Sequence, residues 1–351
     1  MQNILNKKDY PIGIVTAFKE EIEDIIIKLS KRYPDANISG RKYILGKIHD
    51  KFVVVVLSGI GMTNAAMTTQ QMIDVFNPKF IIFSGVSGGI DPRLRTGDVA
   101  IATKWAQYQH QKMIDSQDKF NGFQDEFIDF PNKFYSQNGI IPSFLRPDCT
   151  GCNKPTNPIN GKIIDNTLYT PNFSIPMFVD TFTRPNDAYK TLVPQKFWMD
   201  VNSTLLRIAA ETINNITIPF QIKPDKNDPS TWYTPIVRQV DSGLSSSTFM
   251  DNEDYANQLH SVYKSSIIDM ESAAIGHVAV SNSKPFIVIR AVSDLVNSDF
   301  TPDIISSFLQ NAAQISTFVL FEYIQHVPSD LWSKREPCNH CVQCTKCAKC
   351  I

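Results

Sequence analysis

Several acidic residues stand where apolar segments end, and carboxylates in such places are the groups that hold cations or move protons. The stretch "IIDMESAAIGHVAVSNSKPFIVIRAVSDL" (267–295) opens with Asp269, Met270 and Glu271 at the start of a small-residue helix and closes with Asp294 after an apolar strand. A carboxylate directly after a buried strand must be paired, must cap a turn, or must act chemically, because an isolated charge is costly out of water. Arg290, within the same apolar run, is expected to be a buried structural partner for a carboxylate. Glu20 and Glu21 follow "PIGIVTAF" (11–18). Acids in a first helical turn also favour the helix dipole, which is an alternative account of that pair. Two glycine segments, "SGIGM" (58–62) and "SGVSGG" (84–89), follow apolar runs. They read either as tight turns or as close backbone approach to a sugar, base or anion. Neither is a dinucleotide fingerprint, and neither carries a Walker lysine.

The elements that would position these groups alternate between strand and helix. Expected strands are "PIGIVTAF", the pair "KYILGKIH" and "KFVVVVL" with a turn at Asp50, "KFIIF" running into a glycine loop, "TGDVAIATKWA", "PIVRQVDSG", "SIID" and "PFIVIRAVSD". Expected helices cover 19–33, 62–77, 251–262, 270–282 and 302–325. This alternation predicts an α/β fold with a twisted, mixed, mostly parallel sheet flanked by helices. Ligands in such sheets bind beyond the carboxyl ends of the strands, where the segments above would meet. Residues 106–233 break the pattern. They are rich in Pro, Asn, Asp and aromatics, with a helix expected near 196–213, and read as a long irregular insertion within a domain spanning 11–326. Residues 327–351 form a Cys-rich tail.

Composition narrows the function classes. The chain has 351 residues, 42% hydrophobic content and a formal net charge of -1. That supports a sizeable core and gives no global basic field for nucleic acid or an anionic membrane. No apolar run reaches the length of a transmembrane helix, and the start, "MQNILNKKDYPIGIV", lacks a signal-peptide pattern. The expectation is a cytoplasmic protein, or a secreted or vacuolar one should a leader have been removed. No metal site is expected in the domain. Cys149 and Cys152 lie in the insertion, and Cys338, Cys341, Cys344, Cys347 and Cys350 recur every third residue of the tail. That spacing fits neither a zinc finger nor a ferredoxin run closely, so metal binding, lipidation, mixed disulfides and an unstructured reactive tail stay open. Sequons at Asn172, Asn202 and Asn215 would matter only in a secreted chain. His277 reads as a packed or surface histidine, and His110 as a residue near the start of the insertion.

Four motifs, "IGIVTAFKEEIEDI", "SGIGMTNAAMTT", "FSGVSGGIDPRLRTGDVAIAT" and "DMESAAIGHVAVSNSKPFIVIRAVSD", occur in this order. They resemble the nucleoside phosphorylase and nucleosidase superfamily, which includes uridine phosphorylase and methylthioadenosine/S-adenosylhomocysteine nucleosidase. "SSSTFMDNEDYANQL…IIDMESAAI" looks closest to the plant and protist branch with bark storage-like proteins. The resemblance covers 11–105 and 235–325. It implies a nucleoside substrate, cleavage of its N-glycosidic bond, no cofactor, and a homodimer or a multiple of dimers. It further implies that Met270 and Glu271 line the ribose, that Asp294 protonates or hydrogen-bonds the leaving purine, that Phe249 stacks on the base, and that Glu21 orients the attacking water. Ser84, Gly85 and Val86 would line the pocket. Val86 stands where members often have a hydroxyl residue, and Ser84 or Ser87 is expected to compensate.

Such a reaction develops positive charge on the sugar and negative charge on the base, so one carboxylate should stay ionised and another carry a proton. Asp294 then needs a pKa raised by burial, whereas Glu271 should remain charged. Strand one runs into "TAFKEE" without the Gly-Asp-Pro and arginine anion loop of the phosphorylases, and Arg93 and Arg95 lie several residues past "SGVSGG". Hydrolysis is therefore expected. The alternatives are phosphorolysis, with inorganic phosphate as co-substrate, and a non-catalytic storage or nucleoside-binding protein.

Overall fold

The structure is a computed structural model that describes residues 10–114, 173–176, 179–180, 195–222, 232–295 and 302–331. The first half runs β1 (Ile12–Thr16), α1 (Lys19–Ile27), β2 (Lys31–Arg32), β3 (Ala36–Ile38), β4 (Arg41–Ile48), β5 (Lys51–Leu57), α2 (Met62–Phe76), β6 (Ile81–Gly89), β7 (Val99–Ala102) and β8 (Lys104–Gln107). Short pieces follow: β9 (Gln111–Ile114), β10 (Phe173–Pro176), β11 (Val179–Asp180), β12 (Gln195–Lys196) and β13 (Met199–Asp200). The second half comprises α3 (Ser203–Asn215), β14 (Val237–Val240), β15 (Ser242–Ser245), α4 (Glu253–Tyr263), β16 (Ser265–Asp269), α5 (Ser272–Ser281), β17 (Phe286–Leu295) and α6 (Pro302–His326).

One mixed sheet organises the molecule, with the path β13-β8-β15-β16-β6-β1-β5-β4-β2, and with β17 and β7 joined to it through β6. Parallel pairing joins β1 to β5 and β6, β6 to β17, and β15 to β16 and β8. Antiparallel pairing joins β4 to β5, β16 to β6 and β17 to β7. The central strands are buried throughout, as in IGIVT of β1 and the VVVV of β5, which is why they read as continuous apolar runs rather than alternating ones. Helices cover the sheet. α5 is nearly all small and apolar, and Gly276 lets it approach so closely that a Cβ there would stand 2.8 Å from the Phe286 ring. α3 starts at Asn202, whose side chain accepts from the amides of Thr204 and Leu205 and so satisfies two otherwise orphaned donors.

Three local differences from the sequence reading have physical causes. The first helix stops at Ile27 rather than reaching residue 33. Lys31–Arg32 instead pairs antiparallel with β4, fixed by the Ser30 amide on the Lys47 carbonyl and the Tyr33 amide on the Leu45 carbonyl, so tertiary pairing overrides a helix-like charge pattern. The expected glycine loop after "FIIF" is strand as far as Gly89, because β17 pairs along its whole length. The last part of the insertion is built into the fold: β13 pairs with β8, and α3 begins at Ser203 rather than near 196. Cys149, Cys152, Asn172 and the five tail cysteines lie outside the described residues.

Candidate active site

The site forms around one guanidinium. Arg290 sits inside β17 with no exposed surface and lies over the Phe83 ring, 3.7 Å from its centroid. A fully buried cation requires anionic partners, and three carboxylates surround this one. Asp269 closes β16, and its Oδ2 accepts from Arg290 Nε at 2.8 Å and lies 2.7 Å from Nη2. Glu271 Oε2 lies 3.1 Å from Nη2. Glu21 Oε1 lies 3.6 Å from Nη1. The carboxylates at the start of the 267–295 stretch, Asp269 and Glu271, thus pair with the cation that its strand carries, whereas Asp294 at its end does not.

Each carboxylate is also tied to the backbone, which fixes its direction. Asp269 Oδ1 accepts from Ser245 Oγ and from the amides of Glu271 and Ser272, and Oδ2 pairs with the Ser272 hydroxyl. Glu271 Oε1 accepts from the Gly61 amide at 2.8 Å, so the "SGIG" segment supplies a donor rather than only a turn. Gly61 has φ 100, a conformation that favours glycine. Glu21 Oε2 accepts from the amides of Ala17 at 2.6 Å and Phe18 at 3.3 Å, closing the first turn of α1 as an N-terminal cap. Its Oε1 accepts from the Val86 amide at 2.9 Å. Glu21 therefore both caps a helix and faces Arg290.

Gly85 explains how these groups come so close. A Cβ on it would lie 2.0 Å from Glu21 Oε1 and 2.4 Å from Arg290 Nη1. No side chain larger than hydrogen fits between them.

Burial raises the Glu21 pKa to about 7, against the opposing pull of Arg290 and of the two amides. Burial also pushes Glu271 up, while Arg290 and the Gly61 amide hold its charged form. Asp294 is raised to about 6, chiefly by desolvation. It lies four positions beyond Arg290 on β17, past a register shift between Val292 and Asp294. Bulges of this kind re-aim a side chain. Ser293 Oγ lies 2.5 Å from Asp294 Oδ1 and 3.2 Å from the Ser87 carbonyl, which fixes the carboxyl's orientation.

The sequence-predicted residues separate into groups. Glu21, Gly85, Val86 and Glu271 meet around Arg290, with Val86 contributing its amide and its side chain half-buried. Met270 is half-buried between Asp269 and Glu271. Asp294 stands further along the same strand. Phe249 is 64% exposed on the loop between β15 and α4. Ser84 departs from its expected place: its hydroxyl pairs with Ser316 of α6 at 2.9 Å, on the opposite face of β6 from the Gly85 approach. Ser87 Oγ is buried, with no hydrogen-bond partner among the described residues. His277 meets Gln107 through its Nδ1 at 3.2 Å, away from the Arg290 cluster. Asp269 was not singled out as a site residue, although it follows a buried strand just as Asp294 does.

The phosphorylase superfamily model matches residues 11–140 and 177–325. The 5'-methylthioadenosine/S-adenosylhomocysteine nucleosidase of Listeria monocytogenes serovar 1/2a is 26% identical over 316 residues, covering 90% of this chain and 99% of that protein. Among solved structures, futalosine hydrolase of Helicobacter pylori strain 26695 aligns with a TM-score of 0.59 at 18% identity, covering 92% of this chain and 100% of the other. The 5'-methylthioadenosine/S-adenosylhomocysteine nucleosidase of S. pneumoniae, solved with a transition-state inhibitor, aligns with a TM-score of 0.57 at 20% identity, covering 90% and 99%.

Proposed function

The chain belongs to the phosphorylase superfamily, and on that premise we propose that it hydrolyses the N-glycosidic bond of a purine-type nucleoside, without a cofactor and with water rather than phosphate as nucleophile. The observation that carries this reading is the arrangement along β17. A cation with three carboxylates sits at Arg290, and a separate, partly buried acid with a raised pKa lies four residues further on, at Asp294. At about 3.3 Å per residue those two points are roughly 10–13 Å apart along the backbone, so the two groups can serve different parts of one ligand.

The roles follow from the chemistry. As the C–N bond breaks, the sugar carbon becomes cationic and the base anionic. Glu271, held by the Gly61 amide and Arg290, accepts hydrogen bonds from the ribose hydroxyls and stabilises the positive sugar. Glu21 takes a proton from water as its oxygen bonds to the sugar carbon, and the unused Arg290 Nη1 donor beside Glu21 Oε1 helps to orient that water. Asp294 gives its proton to the departing base. The proton on Glu21 returns to Asp294 through solvent, and the products are a free base and a sugar with a new hydroxyl. Proton donation of this kind is worth about 10²–10⁴ in rate. Phe249, on an exposed loop, stacks on the base once a ligand is bound.

The substrate class is drawn from the names of the relatives: methylthioadenosine, S-adenosylhomocysteine and related purine nucleosides. A homodimer is part of the proposal. Exposed Ile60 adjoins Gly61, whose amide binds Glu271, and Leu57 and Met67 are also exposed. The test is incubation with methylthioadenosine, S-adenosylhomocysteine and adenosine, with and without phosphate, while free base is measured. Base release that does not need phosphate supports hydrolysis. A requirement for phosphate overturns it in favour of a phosphorylase, and no base from any nucleoside overturns catalysis altogether.

A further inference from the structure

A cleft lies at the far end of the strands from Arg290. The start of β1, the β4–β5 turn, the residues before β6 and those after α6 enclose a cleft of about 350 Å³. Ile12 lies on its wall, and β1 runs roughly 13 Å from there to Thr16, at 3.3 Å per residue, before the chain reaches Glu21. The proposed hydrolysis makes no use of it. A volume of this size is in the range that holds small ligands.

The lining is basic and aromatic. Lys47, Lys51 and Lys79 face a single acid, Asp50, which leaves a surplus of positive charge. The Lys51 ammonium is paired with Asp50 at 2.8 Å. Lys47 acts on Asp50 only at longer range, and the Lys47 and Lys79 ammoniums make no hydrogen bond or ion pair among the described residues. Lys47 stands opposite Phe52 in the β4–β5 register, and the Phe52 ring meets Tyr33 edge-on, with centroids 5.7 Å apart and planes at 83°. A ring packs well against such a corner. Two ammoniums on the same cleft lining, without a partner among the described residues, attract an anion where the walls exclude part of the solvent.

We propose that this cleft binds a small aromatic anion, a flat ring carrying a phosphate or carboxylate group, with Lys47 and Lys79 on the anionic group and Phe52 and Tyr33 against the ring. The site is independent of the nucleoside reaction, so either proposal can fail alone.

The test is a calorimetric titration of the full chain with phenyl phosphate. Benzoate, inorganic phosphate and benzyl alcohol serve as separate arms. Saturable binding at one site per chain is expected for an aromatic anion, with Kd on the order of 0.1–1 mM. Inorganic phosphate and benzyl alcohol should each bind about tenfold more weakly or worse, because each lacks one of the two required parts. Whichever of phenyl phosphate and benzoate binds more tightly assigns the anionic group. The Lys47→Gln/Lys79→Gln variant should lose about tenfold or more in affinity while keeping its thermal midpoint and its release of base from nucleosides. If that double variant fails to fold, Lys79→Gln alone carries the same prediction with a smaller loss. Absence of saturable binding by both aromatic anions, undiminished binding in the variants, or inorganic phosphate binding as tightly as phenyl phosphate would each overturn the proposal.

Discussion

Replacing Gly85 with alanine tests the geometry of the Arg290 site with one methyl group. Gly85 does not have positive φ, so alanine brings no backbone strain of its own. The effect is steric. The new Cβ would stand 2.0 Å from Glu21 Oε1, 2.5 Å from Glu21 Cδ and 2.4 Å from Arg290 Nη1. Ordinary contact begins near 3.5 Å, so Glu21 must retreat by roughly 1–1.5 Å. That retreat breaks the 2.9 Å bond from the Val86 amide and removes Glu21 from Arg290. A displacement of this size typically costs about 10²-fold in rate. Overpacking adds about 1–3 kcal/mol of destabilisation, which lowers the thermal midpoint by only a few degrees in a chain of this size. The expected result is a Gly85→Ala protein that is folded at 25 °C, with kcat/KM for base release down about a hundredfold. Gly88→Ala is the internal comparison. Its Cβ would meet Ile268 at 3.3 Å and Asp294 Oδ2 at 3.6 Å, which is tight but tolerable, so its loss should be about tenfold or less. A Gly85→Ala enzyme with near-native kcat/KM would refute the placement of Glu21 at the reaction centre.

Asp294→Asn should lower kcat by about 10²–10⁴-fold with little change in stability, measured by base release and thermal unfolding. The pH dependence of kcat/KM should be bell-shaped. Glu21 must be ionised and has a pKa of about 7, while Asp294 must be protonated and has a pKa of about 6, so the rate climbs to about pH 6, is level near 6.5 and falls above about 7. At the maximum only roughly 6% of molecules carry both groups in the required form, and an optimum above pH 8 would contradict these assignments. Arg290→Met leaves Glu21, Asp269 and Glu271 without their shared cation. It should cost about 3–5 kcal/mol, read as a lowered denaturant midpoint. Light scattering should give twice the chain mass, and Met67→Glu should halve it, because Met67 is 48% exposed on the face assigned to the dimer.

Much of this arrangement was readable from the chain because burial constrains charge. Asp294 and Arg290 stood out as ionisable groups attached to an apolar strand, and both proved to be fixed by partners. The same argument extends to Asp269, at the end of "SSIID", which holds Arg290 through two nitrogens. Strand parity, readable from the sequence, puts Ser84 on the other face from Gly85. Side chains alternate along β6, so if Gly85 faces the carboxylates then Ser84 must face α6. The end of α1 was beyond local reasoning. "LSKRY" is compatible with helix, and only its pairing with β4, more than ten residues later, draws it into the sheet. Backbone donors such as the Gly61 and Val86 amides have no signature in residue type, so their part in the site could be seen only in three dimensions.

Arg290 has its Cα in the interior of β17, aligned with Gly85 on one side and Ala100 on the other. A slip of one residue in that strand would turn the guanidinium to the opposite face, where the helix α6 contacts lie. Misregistered molecules could keep most of their apolar contacts and still be catalytically silent. Recovery of activity during refolding therefore reports the alignment of these strands, which a spectroscopic measure of secondary-structure content would miss.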